Sequence, residues 1–189
     1  MKHIVLFASG SGTNVENIVR YFEGHQTISV SCVFTNKRDA YVLDRCNALG
    51  IPAFFFNGHA FKDKSLLLQF LSCLQPDLIV LAGFLRKIPA EMVATFPEKI
   101  INIHPALLPK YGGKGMYGKH VHKAVKADKD TESGITVHYV NDRYDEGAII
   151  KQVRVGISSS DSADDIGRKV QQLEHLHFPQ IIEAVLSEN

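Results

Sequence analysis

Short runs of aliphatic and β-branched residues recur along the chain and alternate with segments of helical periodicity. In the first half, these runs predict buried strands at residues 3–7, 28–34, 53–56, 78–82 and 100–103. Repeated alternation of strand and helix predicts right-handed βαβ units. We therefore predict an α/β fold, namely a doubly wound, mostly parallel sheet with helices on both faces.

The helical pattern is clearest directly after the first predicted strand. Four apolar residues share the i, i+3, i+4, i+7 spacing of one buried helix face: Val15, Ile18, Val19 and Phe22. Thr13 and Glu16 have the spacing of a capping box, which begins a helix, and Gly24 is typical of a helix end. The segment is therefore predicted to be a helix that packs on the sheet.

The pattern changes after residue 103. Glycines cluster within the polar residues 110–119, which predicts a mobile loop or a crossover. Residues 135–140 and 148–155 are two further predicted strands, and the turn-prone residues 141–147 join them.

A final helix is predicted to begin near Asp161 or Ser162. Its apolar register contains Ile166, Val170, Leu173 and His177. Pro179 is expected to bend or break this helix. Because the chain contains no repeat, low-complexity tract or convincing linker, residues 1–189 are predicted to form a single domain.

Composition excludes several broad classes of protein. Hydrophobic residues make up 45% of the 189 positions and charged residues 22%, which is typical of an ordinary globular protein. The 21 Lys and Arg residues almost balance the 20 Asp and Glu residues, so no broad positive field favours nucleic acid or an acidic membrane. An anionic ligand must therefore be bound by local groups.

The chain also lacks the sequence features of a membrane or secreted protein. Its longest apolar run, residues 78–85, is far shorter than the roughly 20 residues needed to cross a bilayer, and no secretory signal is visible. Cys32, Cys46 and Cys73 have neither metal-ligand nor disulfide-framework spacing, so buried, reduced thiols are expected. The expected location is cytoplasmic.

A glycine-rich segment, residues 9–14, lies between the first strand and its helix. Free backbone amides and the positive end of a helix favour an anion there, which indicates a phosphate site. The alternative is a tight turn that needs glycine for backbone reasons alone. The segment is not a dinucleotide fingerprint, because Val15 stands at the third glycine position, nor a P-loop, because Lys-Ser/Thr is absent.

Two polar residues, Asn102 and His104, end the fifth predicted strand, and Pro105 follows them. Strand alternation directs their side chains to the same side, at the carboxyl end where parallel sheets bind ligands. An amide donor beside an imidazole suits a developing oxyanion. The alternative is a buried pair that holds a loop in place.

Other polar side chains allow both a functional and a structural interpretation. Asp142 and Asp145 lie in the turn before Gly147, where a carboxylate is commonly solvated, and Asp145 is the candidate partner of His104. Glu174 stands at the edge of the apolar stripe of the last helix and needs a cation or a ligand. Four histidines have no metal-ligand spacing and are expected to be satisfied or solvated: His120, His122, His138 and His175.

Taken in order, these segments resemble the phosphoribosylglycinamide formyltransferases of purine biosynthesis. The landmarks cover nearly the whole chain and are residues 10–14, 34–37, 81–86, 102–109, 134–138, 145–147 and 174–175. The resemblance implies a formyltransferase fold with a Rossmann-like N-terminal half. It also implies transfer of a formyl group from 10-formyltetrahydrofolate to the amine of glycinamide ribonucleotide, without a metal.

The resemblance also implies a division of roles among residues. Asn102 and His104 would polarise the formyl carbonyl, and Asp145 would assist proton transfer. The residues implied to bind glycinamide ribonucleotide are Ser11, Gly12, Thr13, Asn14, Pro105, Gln171 and Glu174. Those implied to bind folate are Arg86, Ile88, Val93, Val140, Asn141, Asp142, Arg143 and Tyr144. Partners would be small molecules, with neither nucleic acid nor membrane, and the chain would be a monomer or a weak homodimer.

One departure and several alternatives remain. Residues 111–122 form a longer and more glycine-rich segment than the corresponding loop of the resembled family.

Formyltetrahydrofolate hydrolases and methionyl-tRNA formyltransferases share the chemistry of the Asn-x-His motif and the aspartate but carry an additional domain. A non-catalytic nucleotide-binding module would bind ligand without formyl transfer. A dehydrogenase would need an acid where Asn36 and Lys37 stand.

Overall fold

The computed structural model describes residues 1–61 and 66–188. The strands are β1 (Lys2–Phe7), β2 (Ile28–Thr35), β3 (Ala53–Phe55), β4 (Leu78–Leu81), β5 (Ile100–His104), β6 (Glu132–Tyr139) and β7 (Ile149–Gly156). The helices are α1 (Thr13–Tyr21), α2 (Val42–Ala48), α3 (Leu66–Leu74), α4 (Ala90–Thr95), α5 (Lys119–Ala127) and α6 (Ala163–Glu188). The strands form one sheet in the order β3-β2-β1-β4-β5-β6-β7.

Strand pairing confirms the predicted α/β sheet. β1 pairs in parallel with β2 on one side and β4 on the other, and β2 pairs in parallel with β3. β6 and β7 form an antiparallel pair. Because the chain passes from β1 to one side of the sheet and returns to the other at β4, the loop after β1 lies at a topological switch point, where such sheets bind ligands.

Burial explains why the first strands are uninterrupted apolar runs. The β1 residues from Ile4 to Phe7 are completely buried, and every residue of β4 is buried. Strands covered on both faces have no solvent side that requires polar residues. In β7, which is an edge strand, exposed and half-buried residues alternate instead.

The described residues form two compact units. One contains residues 1–61, 66–101 and 183–188, and the other contains residues 102–182. The first unit holds the glycine-rich loop after β1. The second holds Asn102, His104 and Asp145. Within the described residues, no helix is long and apolar enough to cross a membrane.

The predicted capping box of the first helix is wrong. The residue that caps α1 is Gly12, and no side chain makes a capping hydrogen bond there. The carboxylate of Glu16 is paired with Arg20 and Arg45 instead, because two guanidinium groups are stronger partners than one backbone amide. The predicted apolar face is confirmed, since its four residues are all buried.

Three further features differ from the sequence-based expectations. α5 occupies part of the segment after β5, where no helix was predicted, so the segment is a helical crossover. α6 continues through Pro179 to Glu188, so this proline does not end the helix. Cys32 and Cys46 are buried free thiols as expected, but Cys73 is exposed on α3.

The β6–β7 hairpin allows a stability test at Gly134. A Cβ added there would lie 2.0 Å from the carbonyl oxygen of Val153 and 2.8 Å from Leu107 Cδ2. Gly134→Ala is therefore expected to lower the free energy of unfolding by about 1–3 kcal/mol, as overpacking does. Gly156→Ala on the partner strand is the control, because its added Cβ meets nothing within 4 Å. Equal urea midpoints for the two variants would contradict this interpretation.

Candidate active site

The first two residues of the candidate site, Asn102 and His104, lie on β5. His104 is 3% exposed, and Asn102 is half-buried. Ile103 between them is buried as well. The two polar residues are therefore held by the same strand that contributes to the core, which limits their freedom to move.

Both ring nitrogens of His104 have defined neighbours. Nε2 lies 2.7 Å from the carbonyl oxygen of Tyr111. A carbonyl only accepts, so Nε2 carries the hydrogen and donates it. Nδ1 lies 3.6 Å from Oδ2 of Asp145, which is an ion-pair distance when the ring is protonated. The imidazole is therefore anchored on one side and faces a carboxylate on the other.

Asn102 is oriented by a second histidine. Its Nδ2 lies 3.1 Å from Nε2 of His138, whose Nδ1 lies 2.9 Å from the carbonyl oxygen of Tyr139. Because that carbonyl accepts a hydrogen from Nδ1, the neutral His138 ring accepts one from Asn102 through Nε2. One amide hydrogen of Asn102 is thereby fixed.

The carboxylate of Asp145 faces both histidines. Its Oδ1 lies 3.7 Å from Nε2 of His138, and its Oδ2 accepts a 2.9 Å hydrogen bond from the amide of Gly113. Asp145 has a φ of +56°, which is uncommon for a residue with a side chain and occurs most often where the surrounding structure imposes it. At nearby Gly147, an added Cβ would lie 1.7 Å from the carbonyl oxygen of Tyr139, so this turn requires glycine.

The chain that follows β5 is clamped from the β6–β7 hairpin. The hydroxyl of Thr136 donates to the carbonyl of Ala106 at 2.7 Å and accepts from the amide of Leu108 at 3.0 Å. Gln152 Nε2 donates to the carbonyl of Leu108 at 2.8 Å. The two bonds of Thr136 are buried, and together with that of Gln152 they fix the direction in which the chain leaves His104.

Burial controls the protonation of the site histidines. It lowers the pKa of His104 below the usual 6.5, whereas the Asp145 carboxylate and the Tyr111 carbonyl act in the opposite direction and His138 lowers it further. Burial also lowers the pKa of His138 and of His122. Neutral imidazoles are thus favoured at rest, and Asp145 is the group that stabilises a proton on His104.

The glycine loop after β1 is tightly packed. Gly12 has a φ of +75°, and an added Cβ would lie 2.4 Å from Val42 Cγ2. Arg45 Nε donates to the carbonyl of Ser11 at 2.7 Å, and its guanidinium pairs with Glu16. The loop therefore meets the backbone requirement of a tight turn, and it also precedes the first amides of α1, which suit an anion.

Ser9 joins three loops at the carboxyl ends of strands in the first unit. Its hydroxyl donates to Asn36 Oδ1 at 2.6 Å and accepts from the amide of Leu85 at 2.9 Å. Ser9 is 1% exposed, so these bonds are protected from solvent. They fix the loop from which the predicted phosphate ligands project.

The remaining predicted acceptor-binding residues occupy four places in the chain. Thr13 and Asn14 form the first turn of α1, and Pro105 follows β5. On α6, Gln171 is exposed and Glu174 is half-buried.

The predicted folate-binding residues fall into two groups. Arg86 is exposed after β4, Ile88 is buried, and Val93 is half-buried on α4. Residues 140–144 form the turn after β6, where Asn141 Oδ1 accepts a 2.9 Å hydrogen bond from the amide of Arg143. The first group belongs to the first unit, and the second group belongs to the second unit.

Sequence reasoning missed three groups that contact the site. His138 was expected to be satisfied or solvated, although strand alternation places it on the same side as Thr136 in β6. Gly113 acts through its amide and Tyr111 through its carbonyl, and backbone groups have no residue-type signal.

His122 was expected to be satisfied or solvated, but it is buried, and its Nδ1 has no hydrogen-bond partner within residues 1–61 and 66–188.

Comparison with known proteins gives the family. The sequence model described as formyl transferase matches residues 2–182. The chain belongs to the formyl transferase family. Among the described residues, no group of three or more His, Cys, Asp or Glu side chains is arranged to hold a metal ion.

Several members of the formyl transferase family are similar along the whole chain. A relative from Arabidopsis thaliana named "Phosphoribosylglycinamide formyltransferase, chloroplastic" is 36% identical over 193 residues, covering 99% of this chain but only 66% of the relative. The phosphoribosylglycinamide formyltransferase of Bacillus subtilis is 35% identical, covering 100% of this chain and 97% of the relative. The crystal structure of glycinamide ribonucleotide transformylase 1 from Symbiobacterium toebii has a TM-score of 0.90 at 31% identity, covering 100% and 89% of the two chains.

Buried histidines make stability depend on pH. In the unfolded chain their pKa returns to about 6.5, so between the lowered folded pKa and 6.5 the unfolded state binds more protons. This contribution to stability is complete above about pH 6.5 and is lost as the pH falls below that value.

Replacing one of these histidines is expected to reduce the pH dependence. Between about pH 7.5 and 5.5, His122→Gln should lose less free energy of unfolding than the unmodified protein, because one fewer buried imidazole must take up a proton. Urea unfolding followed by circular dichroism measures this, since the chain contains no tryptophan. His120→Gln replaces an exposed histidine and is the control. An unchanged slope in His122→Gln would disprove the explanation.

Proposed function

We propose that this protein transfers the formyl group of 10-formyltetrahydrofolate to the amine of glycinamide ribonucleotide. The products are formylglycinamide ribonucleotide and tetrahydrofolate, as in de novo purine biosynthesis. The observation that carries the proposal is the grouping of Asn102, His104 and Asp145, with His104 Nδ1 3.6 Å from the carboxylate. The names of the relatives, and the fact that each matches nearly all of this chain, support the choice of donor and acceptor.

The proposed reaction proceeds by direct attack. The acceptor amine forms a bond to the formyl carbon, and the π electrons of the carbonyl move to the formyl oxygen. The bond from that carbon to N10 of the folate then breaks. The amine nitrogen loses one proton and N10 gains one, so the protons balance and no covalent enzyme intermediate is needed.

Each member of the trio has a distinct part in this mechanism. The second amide hydrogen of Asn102 stabilises the oxyanion in a largely buried site, where such hydrogen bonds are strong. A proton that Nδ1 of His104 takes up from solvent, and returns when the oxyanion collapses, adds to this stabilisation. Asp145 stabilises the imidazolium and accepts the amine proton, directly or through water, before that proton passes to N10. Gly113 supports Asp145 by donating to Oδ2.

The binding roles are part of the same proposal. The amides of Gly12, Thr13 and Asn14 receive the phosphate, and Ser11 and Pro105 contact the acceptor. Gln171 is neutral and lies near the phosphate, while Glu174 binds the ribose and the amine end. The folate ligands are Arg86, Ile88, Val93, Val140, Asn141, Asp142, Arg143 and Tyr144.

The wider description of the protein follows from this function. We propose that residues 1–189 act as one formyltransferase domain on small-molecule substrates, because the family model spans almost all of them. The proposed state is a monomer or a weak homodimer, and the proposed compartment is the cytoplasm, where the free thiols remain reduced. The folate is a co-substrate, and the proposed chemistry assigns no step to a metal.

One assay separates the candidate functions. Purified protein is given 10-formyltetrahydrofolate with and without glycinamide ribonucleotide, and tetrahydrofolate release is followed. Release that requires the acceptor supports the proposal. Release without the acceptor indicates a hydrolase, and no release in either case indicates a binding module. Both of these outcomes contradict the proposed function.

The Asp145 carboxylate is expected to be essential for turnover. Asp145→Asn keeps the shape and the acceptor for Gly113 but removes the charge, so kcat should fall at least about 100-fold while the thermal midpoint changes little. Glu146→Gln is the matched control, because this neighbouring carboxylate is exposed and pairs only with Arg143 among the contacts described. Near-normal turnover in Asp145→Asn would remove Asp145 from the mechanism.

A further inference from the structure

The backbone carbonyl of Tyr111 makes the shortest polar contact of His104. The distance from Nε2 to this oxygen is 2.7 Å, compared with 3.6 Å from Nδ1 to Asp145. A hydrogen bond of this length between a nearly buried imidazole and a carbonyl fixes both the ring plane and the nitrogen that carries the hydrogen.

Tyr111 is itself held by two acidic side chains. Its hydroxyl lies 2.7 Å from Asp128 Oδ2 and 2.8 Å from Asp130 Oδ2, and its single hydrogen serves either one. Asp130 is fixed in turn by Lys110 Nζ, with distances of 2.7 and 2.8 Å to its two oxygens. Burial and the nearby carboxylates raise the pKa of the Tyr111 hydroxyl to about 12, so it remains a donor.

The backbone conformation of Tyr111 is not one that its own sequence position favours. Its φ is +59°, which is uncommon for a residue with a side chain and is adopted only when other contacts impose it. The contacts that hold this residue are those of its hydroxyl with Asp128 and Asp130, the Lys110 ammonium 5.0 Å from the centre of its ring, and its carbonyl with His104. The hydroxyl lies at the opposite end of the residue from the carbonyl. Its hydrogen bonds therefore affect the carbonyl by fixing the position of the whole residue.

The direction of this carbonyl decides which nitrogen of His104 faces the reaction. With a hydrogen fixed on Nε2, the neutral ring has its lone pair on Nδ1, directed towards Asp145. The next proton therefore enters between the ring and the carboxylate. The ionisable groups that act on the pKa of His104 are Asp145 and His138, and His104 in turn acts on the pKa of His122. None of these three fixes the hydrogen on Nε2.

We propose that Tyr111 is a positioning residue, whose hydroxyl contacts with Asp128 and Asp130 hold its carbonyl against His104 and thereby direct Nδ1 to the formyl group. The inference rests on the proposed formyl transfer and adds a residue to it. It gives the first part of the segment after β5 a function that does not require contact with either substrate.

Tyr111→Phe tests the proposal by removing only the hydroxyl. We expect kcat to fall about 3- to 10-fold, the effect of one hydrogen bond, with KM for both substrates changed less than twofold. Tyr117→Phe is the matched control, because Tyr117 lies in the same segment, is 45% exposed, and contacts His120 through its ring. Its kcat is expected to equal that of the unmodified protein.

The ring of His104 provides a readout that a merely structural role would not change. In protein with ¹⁵N-labelled histidine, the unmodified His104 should show hydrogen on Nε2. In Tyr111→Phe, the fraction with hydrogen on Nδ1 should increase, and the pKa of His104 should decrease because the carbonyl that raises it has moved. Tyr117→Phe should give the spectrum of the unmodified protein.

A double-mutant cycle shows whether the hydroxyl acts through its carboxylate partner. Asp128→Ala removes the acceptor for the Tyr111 hydroxyl and alone should reduce kcat. Its effect should be smaller in the Tyr111→Phe background, because the same contact is already absent. Fully additive effects would overturn this part of the inference.

The outcomes for the inference and for the proposed function are separable. If the unmodified protein transfers no formyl group, the proposed function fails. If it does transfer the group, but Tyr111→Phe matches Tyr117→Phe in both kcat and the His104 spectrum, only the positioning role is overturned. A lower kcat with an unchanged tautomer also overturns it, since the loss then arises elsewhere.

Discussion

The carboxylate of Asp145 is the interaction on which the rest of the candidate site depends. His104, His138 and the amide of Gly113 all face it, from three different segments of the chain. Of these three groups, only the Gly113 amide donates a hydrogen bond to it at rest, because the neutral histidines face it with their lone pairs. The carboxylate therefore favours the uptake of a proton by His104, which burial of the ring opposes. The left-handed backbone at Asp145 places this carboxylate among the groups that the proposed chemistry requires.

Two uncharged backbone carbonyls hold the histidines that surround Asp145. The Tyr111 carbonyl fixes one nitrogen of His104, the Tyr139 carbonyl fixes one nitrogen of His138, and each ring then presents its other nitrogen to the site. Backbone carbonyls serve well here because they fix a tautomer without adding a charge. The His138 ring held in this way orients the Asn102 amide, and a preorganised donor needs little rearrangement when an oxyanion forms.

Much of the fold was predictable because its determinants are local. The period of two places Asn102 and His104 on one side of β5, and uninterrupted apolar runs indicate strands covered on both faces. The contact between His104 and Asp145 was not predictable from spacing, because it depends on how the β6–β7 turn folds. The helix α5 was obscured by the glycines before it, and the Tyr111 and Gly113 contacts use backbone atoms, which any residue type supplies.

The most direct test of the formyl centre is a crystal structure with glycinamide ribonucleotide and an unreactive analogue of the formyl donor. The account predicts that the oxygen standing for the formyl oxygen lies within hydrogen-bond reach, about 2.6–3.2 Å, of Asn102 Nδ2, with Nδ1 of His104 and the Asp145 carboxylate directed to the same centre. A formyl group bound beyond the reach of all three side chains would contradict the account.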